Sequence, residues 1–208
     1  MCGRYVITSP VSKTNRLVKS AIQVEDNENY NAHPYQKLPV IKKYKNGNTL
    51  ENLQWGLVPV WAKEKEFKAL INSRLETIDE KVSFKKLIKN FRCVAVADGF
   101  YEWKREENDK IPHYFYRDDN QTIFFAGIYQ NNQFCLITEK AAENIRCIHD
   151  RQPVILNLKD VNQFLDLELS GSNFLKKREK PSLKFYKVSK NVNKPINNTA
   201  SLIQKIDI

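Results

Sequence analysis

Residues 92–103 read RCVAVADGFYEW, followed by HYFYR at 113–117, TIFFAGIY at 122–129 and FCLIT at 134–138. Each segment is rich in β-branched and aromatic residues in near period-two alternation, and polar clusters at 106–110, 118–121 and 130–133 separate them. That pattern predicts an antiparallel meander. Toward the N-terminus, GRYVIT (3–8), LPVIKKY (38–44) and TLENLQWG (49–56) repeat it, and Asn46-Gly47 between the last two predicts a hairpin turn. Helical periodicity is confined to short stretches: Pro10 to Ala21 behind a Ser9 cap, Asp79 to Phe91, Ala141 to Ile148, and Leu158 to Leu167. Ser170 to Pro181 reads as a surface connection. The expectation is an α+β fold: one strand-rich domain over residues 1–208, mainly antiparallel, with a few short helices and barrel closure as one way to finish its edges.

Composition narrows the function. Among 208 residues, 41% hydrophobic and 11% aromatic against 28% charged supply a core and exclude a disordered, collagenous or coiled-coil chain. No apolar run approaches the roughly 18 residues of a spanning helix, and MCGRYVITSP lacks the apolar block of a secretory signal, so a cytoplasmic or nucleoid protein without a membrane partner is expected. Thirty-four Lys+Arg against 24 Asp+Glu give a net charge of +10, which suits a polyanion and equally suits an ordinary solvated lysine surface. The six glycines form neither GxGxxG nor GxxxxGK, there is no HExxH, and the four cysteines form no CxxC pair. No metal or organic cofactor is expected. Cys93, Cys135 and Cys147 lie in apolar strings and read as small core hydrophobes.

Cys2 is different. Removal of Met1 leaves an α-amine and a thiol on one carbon, with reference pKa values of about 7.7–8.0 and about 8.5. An aldehyde condenses with such an amine to a Schiff base, and the thiol then closes a five-membered thiazolidine with a large proximity advantage. The competing view is a frayed terminus that happens to carry cysteine. Against fraying, Gly3 permits close backbone approach, and the strand beginning at Tyr5 and Ile7 anchors the end in the fold. The opening MCG is also that of N-terminal-nucleophile glutamine amidotransferases. Their downstream Asn-Gly-Glu segment has no counterpart here. A non-catalytic basic DNA-binding module with an inert Cys2 is the rival outside enzymology.

MCGRY, WGLVPVWA, INSRLET, ADGFYEW, IHDRQPVIL and VSKNVN occur in the order and rough spacing of the SRAP family, and the whole chain resembles an SRAP domain. This resemblance implies a protein of the DNA damage (SOS) response that covalently traps abasic sites in single-stranded DNA, with possible peptidase and lyase activities from the same groups. Motif by motif it implies Cys2 as nucleophile, Asn72 as the polar group positioning the opened sugar, Glu102 and His149 as the acid/base pair, Arg4 and Arg74 as DNA contacts, and Thr138 as a polar site residue. His33 in YNAHPYQ and the segment VNKPINNTASLI depart from the family pattern. The chemistry suits these residue types, because an abasic sugar is mostly a closed hemiacetal and its opening needs proton transfer. Trp55 and Trp61 bracket an apolar group that reads either as a stacking platform or wedge for bases, or as core for at least one of them. Lys63, Lys65, Lys68, Lys85, Lys86 and Lys89, with Arg92, offer a basic rim of mostly ordinary solvated side chains.

Overall fold

The computed structural model describes residues 2–45, 47–62, 66–107 and 109–206. Asn46 of the expected turn and Lys63 and Lys65 of the expected rim lie outside the described residues. In chain order the strands begin with β1 (Arg4–Ile7), β2 (Ser20–Ile22), β3 (Asn29–Ala32), β4 (Lys37–Tyr44), β5 (Gly47–Trp55), β6 (Asn72–Arg74) and β7 (Arg92–Ala97). They continue with β8 (Gly99–Glu106), β9 (Asp109–Arg117), β10 (Ile123–Gln130), β11 (Gln133–Lys140), β12 (Arg151–Pro153), β13 (Ile155–Leu156) and β14 (Leu183–Lys187). Among the described residues, four short helices accompany them: α1 (Pro10–Thr14), α2 (Lys85–Asn90), α3 (Val161–Leu165) and α4 (Gly171–Lys177).

The strands form two sheets. One runs β14-β9-β8-β1-β3 and the other β12-β11-β10-β7-β4-β5-β2, with β6 on β11 and β13 on β10. Parallel pairing of β5 with β11, Gln54 opposite Gln133 and Trp55 opposite Phe134, joins two distant strands of the second sheet and closes β11-β10-β7-β4-β5 into a ring. The fold is thus strand-rich and mainly antiparallel, with barrel closure. β4 and β5 pair from Lys37↔Gln54 to Tyr44↔Gly47, as the hairpin reading expects.

The stretch 92–103 is not one strand. β7 pairs with β10 and β4 in the barrel, whereas β8 pairs with β9 and β1 in the other sheet. The switch falls at Asp98-Gly99. Asp98 Oδ2 accepts from the Thr8 N–H and hydroxyl, both at 2.8 Å, and its other oxygen pairs with Lys13. A Cβ on Gly99 would lie 2.3 Å from the Tyr114 ring and 2.5 Å from Phe115 O, so only glycine lets β8 cross there.

Period-two alternation then sorts β8 and its neighbours. Tyr5, Ile7, Phe100 and Phe115 face the shared core, where Phe100 stacks on Phe115 at 4.9 Å and Tyr5 packs against Trp55 at 5.2 Å. Val6, Tyr101 and Tyr114 face the opposite way, under Val188, Val192 and Leu202 of the C-terminal segment. Both faces of the five-stranded sheet are therefore covered, and Glu102, two residues beyond Phe100, is carried into the interior.

The helices are shorter than their periodicity suggests. α1 ends at Thr14 and the chain turns into β2; Ser9 has φ 48° and its side chain caps nothing. Within 79–91 only α2 is helical, and within 141–148 only a 3₁₀ turn at Glu143–Ile145 forms. Leu158–Asp160 is a 3₁₀ turn running into α3. Conversely, the expected surface connection at 170–181 contains α4, whose first turn is capped by Ser170 Oγ accepting from Asn173 N–H at 3.4 Å.

Candidate active site

Cys2 lies fully buried at the head of β1, where its thiol has Arg4 O as a weak acceptor at 3.8 Å. Burial pushes the thiol pKa up, and the nearby Glu102 charge pushes it further, so the resting group is S–H rather than thiolate. Asn72, on the short strand that pairs with Leu136 of β11, donates from Nδ2 to Cys2 O at 2.9 Å. This bond ties the barrel to the chain terminus. The Asn72 Oδ1 atom is buried and accepts no hydrogen bond from the described residues.

Glu102 comes from β8 and His149 from the loop before β12; His149 Nε2 stands 4.0 Å from Glu102 Oε2. Desolvation raises the Glu102 carboxyl above its ordinary value and lowers the half-buried imidazole below its own. Two groups normally separated in pKa are thereby drawn toward each other. The Arg151 N–H donates to His149 Nδ1 at 3.0 Å, which assigns the neutral ring proton to Nε2, facing Glu102. Asp150 Oδ1, 2.8 Å from Nδ1, gains a donor only when the ring is protonated.

Behind this loop sits a network that the sequence reading missed. Arg151 donates to both Glu76 oxygens, at 2.8 and 3.0 Å, and to Thr138 Oγ1 at 3.1 Å, while Thr138 donates to Ser73 O at 3.1 Å. Glu76 and Arg151 stand inside INSRLET and IHDRQPVIL, so the motifs contained them; what was lacking was any sign that they pair across 75 positions.

The structure brings Cys2 and Asn72 into contact and Glu102 beside His149, and it places three other singled-out side chains in the interior, correcting any surface role for them. Trp55 is fully buried, stacked on Phe134 and donating to Ile71 O at 2.9 Å, so it is core. Thr138 is likewise buried inside the network just described. Arg92 of the expected rim is buried too, donating to Asp166 O and Leu169 O. Arg4 is half-buried, with Nη1 on Asn31 Oδ1 at 2.6 Å and Val192 O at 2.8 Å. Of the two expected arginines, only Arg74 is exposed. Trp61 remains exposed at 54%, edge-on to Phe67 at 5.3 Å. Cys147, expected in the core, is exposed because the 3₁₀ turn before it leaves its thiol at the surface.

Two concavities open here. One of about 350 Å³ is lined by Glu102, His149, Trp103, Arg105, Lys110 and Asn193. The other, about 620 Å³, shares Trp103, Arg105 and His149 and adds Arg74, Arg146, the Glu76-paired Arg151 and the exposed carboxylate of Asp150. Such a cationic mouth leading to a carboxyl and an imidazole suits an anionic substrate with a proton-transfer step.

The family model of the SOS response associated peptidases (SRAP) matches residues 1–195. The chain is 33% identical to the abasic site processing protein YoqW of Bacillus subtilis over 98% of this chain and 99% of that one. It is 30% identical to the abasic site processing protein YedK of Escherichia coli over 82% of each. A crystal structure of a Bacteroides thetaiotaomicron protein superposes with a TM-score of 0.83 at 23% identity, covering 99% of this chain and 100% of that one, which supports the fold alone. From the opening cysteine through the His149 loop, the chain belongs to the SRAP family.

Proposed function

We propose that this protein captures abasic sites in single-stranded DNA by forming a thiazolidine between Cys2 and the opened sugar. The observation that carries this reading is the convergence of Cys2, Asn72, Glu102 and His149, with the Asn72 amide on Cys2 O at 2.9 Å and its buried oxygen left without a partner among the described residues. Once Met1 is removed, the Cys2 amine adds to the C1 aldehyde and water leaves, giving an imine. The Cys2 sulfur then bonds to that carbon while its proton moves to nitrogen, so the net change is one water lost. Because burial holds the thiol protonated, a base must carry that proton, and Glu102 is the carboxyl whose charge the thiol senses. His149, carrying its neutral proton on Nε2, serves ring opening of the hemiacetal. The Asn72 oxygen accepts from a sugar hydroxyl.

The names of the relatives, the net charge of +10 and the Arg74–Arg146–Arg151 mouth support DNA as the partner; exposed Trp61 supports a single strand with accessible bases. The same imine acidifies the neighbouring sugar proton, so strand cleavage by β-elimination is a side reaction of this chemistry, and hydrolysis of the Met1–Cys2 bond is a peptidase role for the same groups. Intact mass after mixing with an abasic single-stranded oligonucleotide tests the reading. The expected product has the mass of the protein from Cys2 onward plus the oligonucleotide less one water. Reversible binding without adduct, or glutamine hydrolysis without adduct, overturns it.

A further inference from the structure

We infer that Tyr35 is a base-stacking residue: its exposed ring lies at the rim of the site to receive a nucleobase of the bound strand. The inference rests on the proposed reading that the protein binds DNA. Tyr35 has φ 74°, in the left-handed region that a bulky side chain rarely occupies. The backbone there is over-determined. Tyr35 N–H donates to Trp55 O at 2.7 Å, Trp55 N–H donates to Gln36 O at 2.9 Å, and Gln36 Oε1 accepts from the His33 N–H and from Asn29 Nδ2, both at 3.1 Å. A glycine or asparagine would meet these bonds without the strain.

The fold gains little from the ring in return. Tyr35 is 58% exposed, and its hydroxyl makes no hydrogen bond among the described residues. One ring edge lies across the backbone of Gly56, close enough that an added Cβ there would be 3.8 Å from Cδ1 and Cε1. A strained, exposed aromatic on a turn fixed by these four hydrogen bonds suits a preorganised stacking surface, because the backbone that carries the ring is set before any ligand arrives.

Its location fits. β3 ends at Ala32, opposite Tyr5 of the strand that Cys2 leads into, and the chain then turns at 34–36, where Tyr35 bonds to Trp55 O at the end of β5. Gly56 opens the segment carrying the exposed Val60 and Trp61, and the Leu57↔Leu70 bridge leads in two residues to Asn72. With the arginine mouth for phosphates and a net charge of +10, the complementary occupant is a polyanion that also carries flat apolar rings.

The test is anisotropy with a single-stranded oligonucleotide lacking an abasic site, using Tyr35→Ala, Tyr35→Gly and Tyr35→Phe in the full chain. Ala and Gly should weaken binding about 5- to 100-fold, and Phe should stay within about twofold of wild type, as stacking without hydrogen bonding predicts. The log–log salt slope should not change, since no phosphate contact is lost. Tyr35→Gly suits the left-handed backbone and should melt no lower than wild type, so its weakened binding cannot come from unfolding. With a 2-aminopurine walked along the strand, one position should be quenched by wild type and not by Tyr35→Ala. Affinities within about twofold of wild type in both Ala and Gly variants overturn the inference, as does a slope lowered by about 0.7, which would mark a phosphate contact instead. Failure of the wild type to bind the strand overturns the DNA reading and this one together, whereas wild-type binding and crosslinking with indifferent Tyr35 variants overturns only this one.

Discussion

His149 Nε2 faces Glu102 Oε2 across 4.0 Å, and burial moves their two pKa values toward each other. Below its raised pKa Glu102 is neutral and cannot take the thiol proton; above it the carboxylate can. The ratio of wild-type to Glu102→Gln crosslinking rate should therefore climb with pH through a limb lying above the ordinary carboxylate value. Taking the ratio cancels the titration of the amine, which both proteins share. A ratio flat from about pH 4 to about pH 8 would remove Glu102 from proton transfer.

The same burial has a consequence for stability. Desolvation raises the folded-state pKa of Glu102 above its unfolded value, so the favourable contribution of the neutral form is complete below the unfolded pKa and is lost as pH rises through the folded one. Glu102→Gln is neutral at every pH. It should be more stable than wild type near neutrality, by about 1 kcal/mol, as is common when a constrained site is relaxed, and the gain should vanish in acid. Urea melts at about pH 7 and about pH 4 check both halves of the statement, and an equal difference at the two values contradicts it.

How far these elements were legible differs from residue to residue. The pattern in 92–138 revealed strands because β-branched and aromatic runs bounded by polar turns mark strands even where, as in β7 and β10, both faces are buried, and the motifs around Cys2, Asn72, Glu102 and His149 marked the site. The break at Asp98-Gly99 was hidden, because an uninterrupted β-pattern does not say which sheet each half joins; the contacts that force it, Thr8 and Lys13 on Asp98 and Tyr114 against Gly99, are long-range. Helix length failed for the same reason in the 10–21 stretch, whose end, Ser20 and Ala21, yields to strand pairing against β5. Trp55 and Thr138 show the limit for sites. A motif names residues near the chemistry without saying which face the core and which face the ligand.

Loss of the Cys2 thiol should separate imine formation from ring closure. Cys2→Ala keeps the amine, and Cys2→Ser offers a poorer nucleophile, so heat-stable adduct should vanish in the first and be weak or absent in the second. Borohydride added during incubation should recover a reduced amine adduct in both. Wild-type yields of heat-stable adduct from Cys2→Ala would exclude the thiazolidine.

Arg151 reaches His149 through its own N–H and is held by Glu76, which makes Glu76 a positioning residue at one remove from the chemistry. Glu76→Ala leaves a largely buried guanidinium without its carboxylate, at a cost of about 1–3 kcal/mol in stability. With the His149 loop loosened, the crosslinking rate should fall while affinity for intact single strands changes little. Glu76→Asp should recover part of the rate, whereas a purely structural role would show melting changes with the rate per folded molecule unaltered.

Arg4 and Arg74, equivalent in the sequence reading, should part company in experiment. Arg4 holds Asn31 and the carbonyl of Val192, and since Val192 O also accepts from Asn31 Nδ2, Arg4→Ala leaves Asn31 Oδ1 without its donor and should cost about 1–3 kcal/mol of stability. Arg74 is exposed and lines the same concavity as Arg146, so its removal should leave melting unchanged. If Arg74 grips a backbone phosphate, Arg74→Ala should weaken binding to single strands of any sequence and lower the log–log salt slope by about 0.7, the share of one counterion released per neutralised phosphate. Anisotropy from low to moderate salt on an abasic-free oligonucleotide reads this without interference from covalent capture. An unchanged slope in Arg74→Ala, with melting also unchanged, would take the phosphate contact away from Arg74 and leave exposed Arg146 to supply it.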